Sequence, residues 1–395
     1  MSAALAVVTV GFAIFIAFPA MYLGLLAAVT VIRTRAPRRT AVPPRPPRIA
    51  ILVPAHDEAA LIGGTVAGLL RLEYPPGLFS VHVGADNSSD ATAAGARRSG
   101  ACVHERDDPR RRGKGATLNW LVQEVTSESP DVDAFVVVDA DSELSGDFLW
   151  VMARELASGA EVAQALNLVA ADDRPLVRIR ELAFELMCHL RPLAYELLGG
   201  SSTLHGNGMC FAASLFPRYR WSEASVVEDS ELFLRLVRDG HRIALAAGAT
   251  VRSRMPATLR EARAQALRWE RSRLDHPLEA LRLAGRGLRR RDPSRLLAGL
   301  AVLIPPIAVL AAVSFLGFLA GAIAGVHALT ALAAGALVAL LLYGLRGASL
   351  GGMTPHTLLR ILMWAPPYLV WKLWVVGLAV SGAGRQTWSR ASRTA

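Results

Sequence analysis

Phe135-Val-Val-Val-Asp-Ala-Asp141 is the stretch on which the reading of this chain turns. A short, unbroken apolar run ends in two carboxylates one residue apart. Such a run reads as a strand buried on both faces of a parallel sheet. In open α/β sheets ligands bind beyond the carboxyl ends of the strands, which is where Asp139 and Asp141 fall. Two carboxylates there can hold a hard divalent cation and still leave room for diphosphate oxygens. Such a cation neutralises charge on a departing nucleotide diphosphate. The plainer alternative is a turn with solvated acids, because Asp is common in turns.

Similar apolar runs recur at 49–54, 79–84 and 162–169, with helical patterns between them at 58–71, 90–98, 116–124 and 146–157. That alternation predicts a mostly parallel α/β sheet. Asp86-Asn-Ser-Ser-Asp90 closes the second run; Asp86 can accept hydrogen bonds from a base or ribose. Asp90 can do the same or N-cap the next helix. In Arg110-Arg-Arg-Gly-Lys-Gly115, Lys114 stands between glycines before an apolar helix, placed to meet a pyrophosphate. The three arginines read equally well as solvated charge. In Leu204-His-Gly-Asn-Gly-Met-Cys-Phe211, Gly206 and Gly208 allow a ligand close to the backbone, or simply a tight turn. His56 and His205 stand singly and are assigned to no metal. Ser225 and Glu228 fit a capping box before an amphipathic helix. Asp229 is then the better candidate general base for an acceptor hydroxyl. Gln265, Arg268 and Trp269 share one helix face by their i, i+3, i+4 spacing. They offer an amide, a guanidinium suited to phosphate and a flat indole; an amphipathic surface helix with an interfacial Trp has the same pattern.

Beyond these motifs the chain is 52% apolar over 395 residues, and 43 basic against 33 acidic residues leave it at +10. The basic residues cluster beside apolar runs, which favours a bilayer partner. No zinc spacing, helix-turn-helix or aromatic RNA-binding signature is present, so no nucleic-acid partner is expected. The three cysteines form no C-x-x-C pair and fit core thiols in a reducing compartment. Residues 1–32 read as a transmembrane anchor long enough for a hydrocarbon core of roughly 30 Å. Arg33, Arg35, Arg38 and Arg39 follow the anchor and no basic residue precedes its apolar run, the reverse of a cleaved signal peptide. The same asymmetry predicts an outside N-terminus and a cytosolic remainder. Residues 33–48 form a basic, Pro-rich linker, 49–254 a catalytic domain, and 255–295 amphipathic interface helices. Residues 296–345 supply two transmembrane helices, near 296–320 and 322–345. Within 346–395, the run 358–380 is interrupted by Pro366-Pro367 and Lys372. A crossing there would carry Arg385, Arg390 and Arg393 outside, so an interfacial or re-entrant helix with a cytosolic tail is expected. There is no internal repeat.

Taken in order, Val53-Pro-Ala-His-Asp-Glu58, Asp86-Asn-Ser-Ser-Asp90, Gly113-Lys-Gly115, Asp139-Ala-Asp141, Gly206-Asn-Gly208, Glu228-Asp229 and Gln265-x-x-Arg268-Trp269 resemble the family 2 glycosyltransferases. The branch they resemble includes cellulose, chitin and hyaluronan synthases and ceramide glucosyltransferases. The resemblance spans about residues 49–270. It implies a GT-A fold, that is a Rossmann-like α/β domain with a mostly parallel sheet, cytosolic and flanked by transmembrane helices. It further implies a UDP-sugar donor, Mg²⁺ or Mn²⁺, and inversion at the anomeric carbon. On this resemblance Pro54, Glu58, Asp86, Lys114 and Asp139 bind the donor, Asp141 binds the metal and Asp229 is the base. Gly206, Asn207, Glu228, Gln265, Arg268 and Trp269 then form the acceptor and diphosphate side. Asp57 stands where the family usually has Asn, and Val227 where the polymer synthases often have Thr. So slim a membrane portion points to a membrane lipid or lipid-linked acceptor in the plasma membrane. A processive polysaccharide synthase, a membrane nucleotidyltransferase and a non-enzymatic scaffold with a decayed transferase domain are the alternatives.

Overall fold

The computed structural model describes residues 3–33, 43–223, 225 and 227–382. The basic residues at 35, 38 and 39, most of the expected linker, and the tail at 385, 390 and 393 lie outside the described residues. At the N-terminus α1 (Ala3–Phe12) runs through a π-helical stretch, Ala13–Ala17, into α2 (Phe18–Ile32). The α/β unit then follows as β1 (Ile49–Ala55), α3 (Ile62–Leu69), β2 (Phe79–Asp86), α4 (Thr92–Arg98), β3 (Cys102–Arg106), α5 (Lys114–Glu128), β4 (Ala134–Val137), β5 (Ser142–Leu144), α6 (Phe148–Ala157) and β6 (Val162–Val169). Next come α7 (Pro175–Phe184), a second π-helical stretch at Glu185–Leu190, α8 (Arg191–Leu197), β7 (Met209–Ala212), α9 (Glu228–Asp239) and β8 (Ile243–Ser253). The chain continues as α10 (Leu259–Asp275), α11 (Pro277–Arg290), α12 (Pro293–Leu303), α13 (Ile307–Ile323), α14 (His327–Leu350) and α15 (Pro355–Val380).

The eight strands form one sheet in the order β3-β2-β1-β4-β7-β6-β8-β5. β1 pairs in parallel with β2 and β4, β2 with β3, and β6 with β8. β7 runs antiparallel to both β4 and β6, and β5 antiparallel to β8. The expected Rossmann-like, mostly parallel sheet is therefore present. Burial explains why the strands read as continuous apolar runs. Along β1, Ile49, Ile51 and Val53 enter a core with Ile62 and Val66 of α3 and Phe148 and Met152 of α6. Ala50 and Leu52, on the opposite face, join Leu118 and Leu121 of α5 and Leu232 and Leu236 of α9. Helices on both faces leave no polar side to alternate with. β3 and β5 carry no comparable run: β3 is a half-exposed edge, Cys-Val-His-Glu-Arg, and sequence pattern alone does not mark it.

Among the described residues three helical stretches are long and apolar enough to cross a membrane: Leu5–Ile32, His327–Leu350 and Pro355–Val380. The apolar run expected as one helix at 296–320 is instead broken. α12 and α13 meet at 67° and become a fourth crossing only if the bent pair counts as one span. Ile304-Pro305-Pro306 makes the break, because the residue before a proline is pushed out of the helical region; Ile304 has ψ 123° and Pro306 ψ 135°. α2, α8, α12 and α14 share a core through Leu23, Leu26, Tyr195, Leu297 and Tyr343. Phe15 of the π-helical stretch, Phe18 of α2, Leu316 and Ile323 of α13 and Leu341 of α14 stay exposed on the outside, and a contiguous exposed apolar surface marks an interaction with a membrane or another protein.

Candidate active site

Four strands deliver their carboxyl ends to one place. Pro54 stands one residue before the end of β1, and the following loop holds Asp57 at φ +53°, a conformation that Asp and Asn tolerate better than most residues. The Asp57 carboxylate accepts from the Ser89 backbone N–H at 2.7 Å and so ties the first two strand-end loops together. Asp90 does the same from the other loop, accepting from Ala59 N at 3.1 Å and Thr92 N at 2.9 Å. It sits one residue before the N-cap of α4, which is Ala91. At the end of β2, buried Asp86 accepts from Arg106 Nε at 2.7 Å and from Asn87 Nδ2 at 2.9 Å. Part of its capacity is thus committed to the protein, and Arg106 is a member of the site that no motif announced.

Lys114 opens α5 after Gly113, which has φ +117°. Its ammonium reaches Asp139 Oδ1 and the Gly206 carbonyl, both at 2.5 Å. Burial pulls the Lys114 pKa down, but Asp139, Glu228 and Asp229 together outweigh it and leave it above the ordinary value. Asp139 is held from behind by its backbone N–H, which donates to Asn207 Oδ1 at 3.1 Å. Asn207 also donates to Ser142 and Ser253, at 2.9 and 3.0 Å, so its side chain positions the Asp139 loop. Gly206 and Gly208 flank it at φ +73° and +68°. A Cβ on Gly208 would stand 2.6 Å from Val251 Cγ1, and one on Gly206 3.0 Å from Asp229 Oδ2. These glycines are therefore required by packing as well as by turn geometry.

Glu228 and Asp229 are the first two residues of α9. The expected capping box is not formed: the N-cap is Val227, and Ser225 Oγ accepts from Val227 N at 3.1 Å. The helix starts at Glu228 rather than two residues earlier, so Glu228 cannot reach back as an N3 residue. Both carboxyls are raised. For Glu228, burial and then Asp229 push it up to about 7 against the pull of Lys114. For Asp229, burial raises the pKa against Lys114 and the Ser230 N–H. The pair faces a common cation and shares charge, which is the arrangement expected of an acid–base site.

From α10, Gln265 is buried, and Arg268 and Trp269 are half-buried. Gln265 Oε1 accepts from Arg180 Nη2 at 3.0 Å, while Trp269 packs on Phe184 at 5.8 Å between ring centres. One cavity of ≈ 790 Å³ gathers these groups. Its walls include Pro54, Glu58, Asp86, Lys114, Asp139, Asp141, Gly206, Asn207, Glu228, Asp229, Gln265, Arg268 and Trp269, along with apolar residues of α13 and α15. Every residue to which the resemblance gave a donor, metal, base or acceptor role thus borders the same space, whereas Asp90 and Gly208 do not line it. His205 borders it too, but burial lowers its pKa to about 4 and keeps it neutral. A separate group, His82, His104 and Glu128, brings three metal-ligating atoms within 4.8 Å of one another. It does not border the cavity, and parallel pairing of β2 with β3 creates it from residues far apart in sequence.

A mannosyltransferase from Pyrobaculum calidifontis, solved with GDP-Man and Mn²⁺, superposes with a TM-score of 0.61 at 18% identity, covering 95% of this chain and 97% of that one. That likeness shows the fold: a GT-A domain with its accompanying helices. Residues 46–272 match the family described as glycosyltransferase like family 2, more than half of the chain, and the protein belongs to that family. Among curated relatives, a beta-monoglucosyldiacylglycerol synthase from Trichormus variabilis is 28% identical over 203 residues, 49% of this chain and 42% of that one. The probable glycosyltransferase YdaM of Bacillus subtilis is 24% identical over 245 residues, 57% of this chain and 55% of that one. The chain spans about half the length of the curated relatives it matches.

The strand-end acids suit Mg²⁺ or Mn²⁺. The donor set is carboxylate oxygen, the ligand type those ions prefer. Burial raises Glu228 and Asp229, neighbouring carboxyls add to the rise, and a divalent cation beside them would offset that added repulsion.

Proposed function

We propose that this protein is a metal-dependent, inverting glycosyltransferase that moves a sugar from a UDP-sugar to a membrane lipid or lipid-linked acceptor. The observation that carries the reading is continuity. The cavity that begins at Asp86, Asp139 and Asp141 extends without a wall to Pro305, Pro306, Ile307, Ala311, Leu369 and Lys372. A nucleotide fits the first end and an amphiphile the second. The order of motifs further supports the branch of lipid glycosyltransferases and polysaccharide synthases. The exposed apolar helices support a membrane location, with the catalytic domain on the cytosolic face of the plasma membrane.

In this mechanism Glu58, Asp86 and the β1 and β2 loops hold the nucleoside. Lys114 and Arg268 face the diphosphate, and Asp139 the donor sugar. Asp141 holds the divalent cation, which when bound supplies charge neutralisation at the diphosphate. Asp229 accepts the proton of the acceptor hydroxyl as that oxygen bonds to the anomeric carbon from the side opposite the leaving group. The indole of Trp269 gives the acceptor a flat wall. Positioning and fixed charges provide most of the acceleration.

The test is nucleotide release by the full chain in membranes, with Mn²⁺ and a panel of UDP- and GDP-sugars, followed by mass analysis of the lipid fraction. One or two sugars added to a lipid are expected. High polymer would replace this reading with a processive synthase. No turnover of any nucleotide sugar would sink it.

A further inference from the structure

The membrane-side half of the cavity holds two charges that the protein does not match. Arg180 of α7 and Arg191 at the start of α8 both border it, exposed by only 4% and 6%. A guanidinium stays charged in a protein, and burying it without a counter-charge is unfavourable. The other buried cations nearby have carboxylate partners: Lys114 with Asp139 at 2.5 Å, Arg106 with Asp86 at 2.7 Å and Lys372 with Glu270 at 2.6 Å. Arg180 and Arg191 have none among the described residues. Arg180 is surrounded by Gln265 Oε1 at 3.0 Å, Met255 Sδ at 3.8 Å and the face of Trp269 at 5.8 Å. These groups are polar or polarisable, and none is an anion. Arg191 Nε is buried with no hydrogen-bond partner, and the groups around this guanidinium are the hydroxyls of Tyr22, Tyr195 and Tyr343.

We propose that Arg180 receives the phosphate of the acceptor, so that the substrate class is a phosphate-bearing lipid. This rests on the glycosyltransferase reading above and narrows its acceptor. Location separates this anion from the donor diphosphate, which the strand-end loops and Lys114 serve. α7 packs against α15, and Arg180 lies among Met255, Phe184 and Trp269, whose surroundings are apolar. An anion arriving there is attached to an apolar body. An uncharged diacylglycerol would leave the Arg180 guanidinium unmatched.

Two kinds of lipid share this chemistry. With a phospholipid that carries a free hydroxyl, the acceptor oxygen bonds to the anomeric carbon as the bond from that carbon to the diphosphate oxygen breaks. The nucleoside diphosphate leaves with the electron pair, and the hydroxyl proton passes to Asp229. With a lipid monophosphate the attacking oxygen is already anionic, and no proton moves. Asp229→Asn therefore distinguishes them, abolishing transfer in the first case and largely sparing it in the second.

The experiment uses the full chain in mixed micelles with the nucleotide sugar it turns over, and compares dioleoylglycerol, dioleoylphosphatidylglycerol and farnesyl phosphate as acceptors. One of the phosphate lipids should exceed dioleoylglycerol in kcat/KM by about 10-fold or more. Arg180→Gln should raise KM for that lipid by about 10- to 100-fold, the usual loss for a charge-assisted contact. The donor KM should stay near wild type, and Arg180→Lys should recover part of the loss. Equal or better use of dioleoylglycerol overturns the proposal, as does an Arg180→Gln defect of the same size with every acceptor. If Arg180→Gln does not fold, the wild-type ranking of acceptors decides by itself. Sugar transfer to water-soluble acceptors with no lipid product would instead remove the lipid-acceptor reading and this proposal with it.

Discussion

At the residue scale, Asp229 and Glu228 differ in role although they are adjacent and both raised. Both border the cavity from the first turn of α9, but Asp229 is half-buried and approaches Gly206, whereas Glu228 is buried. Asp229→Asn keeps the shape and removes the basic oxygen. Transfer to a hydroxyl acceptor should fall by roughly 10²- to 10⁴-fold while donor binding, followed by nucleotide protection or calorimetry, stays intact. Near-normal turnover would end the base assignment. Glu228 gives a stability prediction. Its folded pKa is pushed up to about 7 from an ordinary 4.5. Between those values the folded chain binds a proton that the unfolded chain does not, so stability falls as pH rises through that window. The thermal midpoint in detergent should therefore drop between about pH 5 and about pH 8, and Glu228→Gln should flatten that slope; an unchanged slope would show that Glu228 is not the titrating group. Asp57, where the resemblance implies Asn, holds a left-handed turn and accepts from the Ser89 N–H.

At the element scale, close packing of small residues decides how the membrane helices meet. Gly24 of α2 lies against α14, where an added Cβ would stand 2.9 Å from Ala339 Cβ. Small residues at such crossings let backbones approach and gain dispersion contacts that lipid does not offer as well. Gly24→Leu should force α2 and α14 apart and cost about 1–3 kcal/mol or more, read as a lower thermal midpoint of the detergent-solubilised chain. An unchanged midpoint would mean that the crossing bears little of the stability. The helix α15 shows a limit of sequence pattern. Lys372 reads as a break in an apolar run, but its ammonium meets Glu270 of α10 at 2.6 Å, with the two side chains 14% and 6% exposed. Pairing inside the protein is how ionisable residues are tolerated in apolar helices. The break at Ile304–Pro306 was legible from its prolines yet passed unread within a long apolar run.

At the scale of the whole molecule, one cavity joins a hard-acid pole to an apolar pole, and removing the divalent cation should disable the first pole without emptying the second. Chelation should lower transfer on the order of a hundredfold or more, with Mn²⁺ or Mg²⁺ restoring it, while partitioning of the chain into vesicles is unchanged. Activity that survives exhaustive chelation would contradict the metal role. The sequence by itself determined the α/β class, the long apolar segments and the motif residues that border the cavity. Periodicity, strand-end acids and helical spacing are local properties, readable within a few residues, and the family motifs come in a fixed order. Only the tertiary structure decided what those residues do to one another. Asn207 became a brace for Asp139, and Arg106 and Lys114 took up carboxylates. Arg180 and Arg191, which belong to no motif, emerged as buried charges without carboxylate partners among the described residues. The physical reason is that burial, pairing and pKa depend on which distant segments meet, and no local pattern records that meeting.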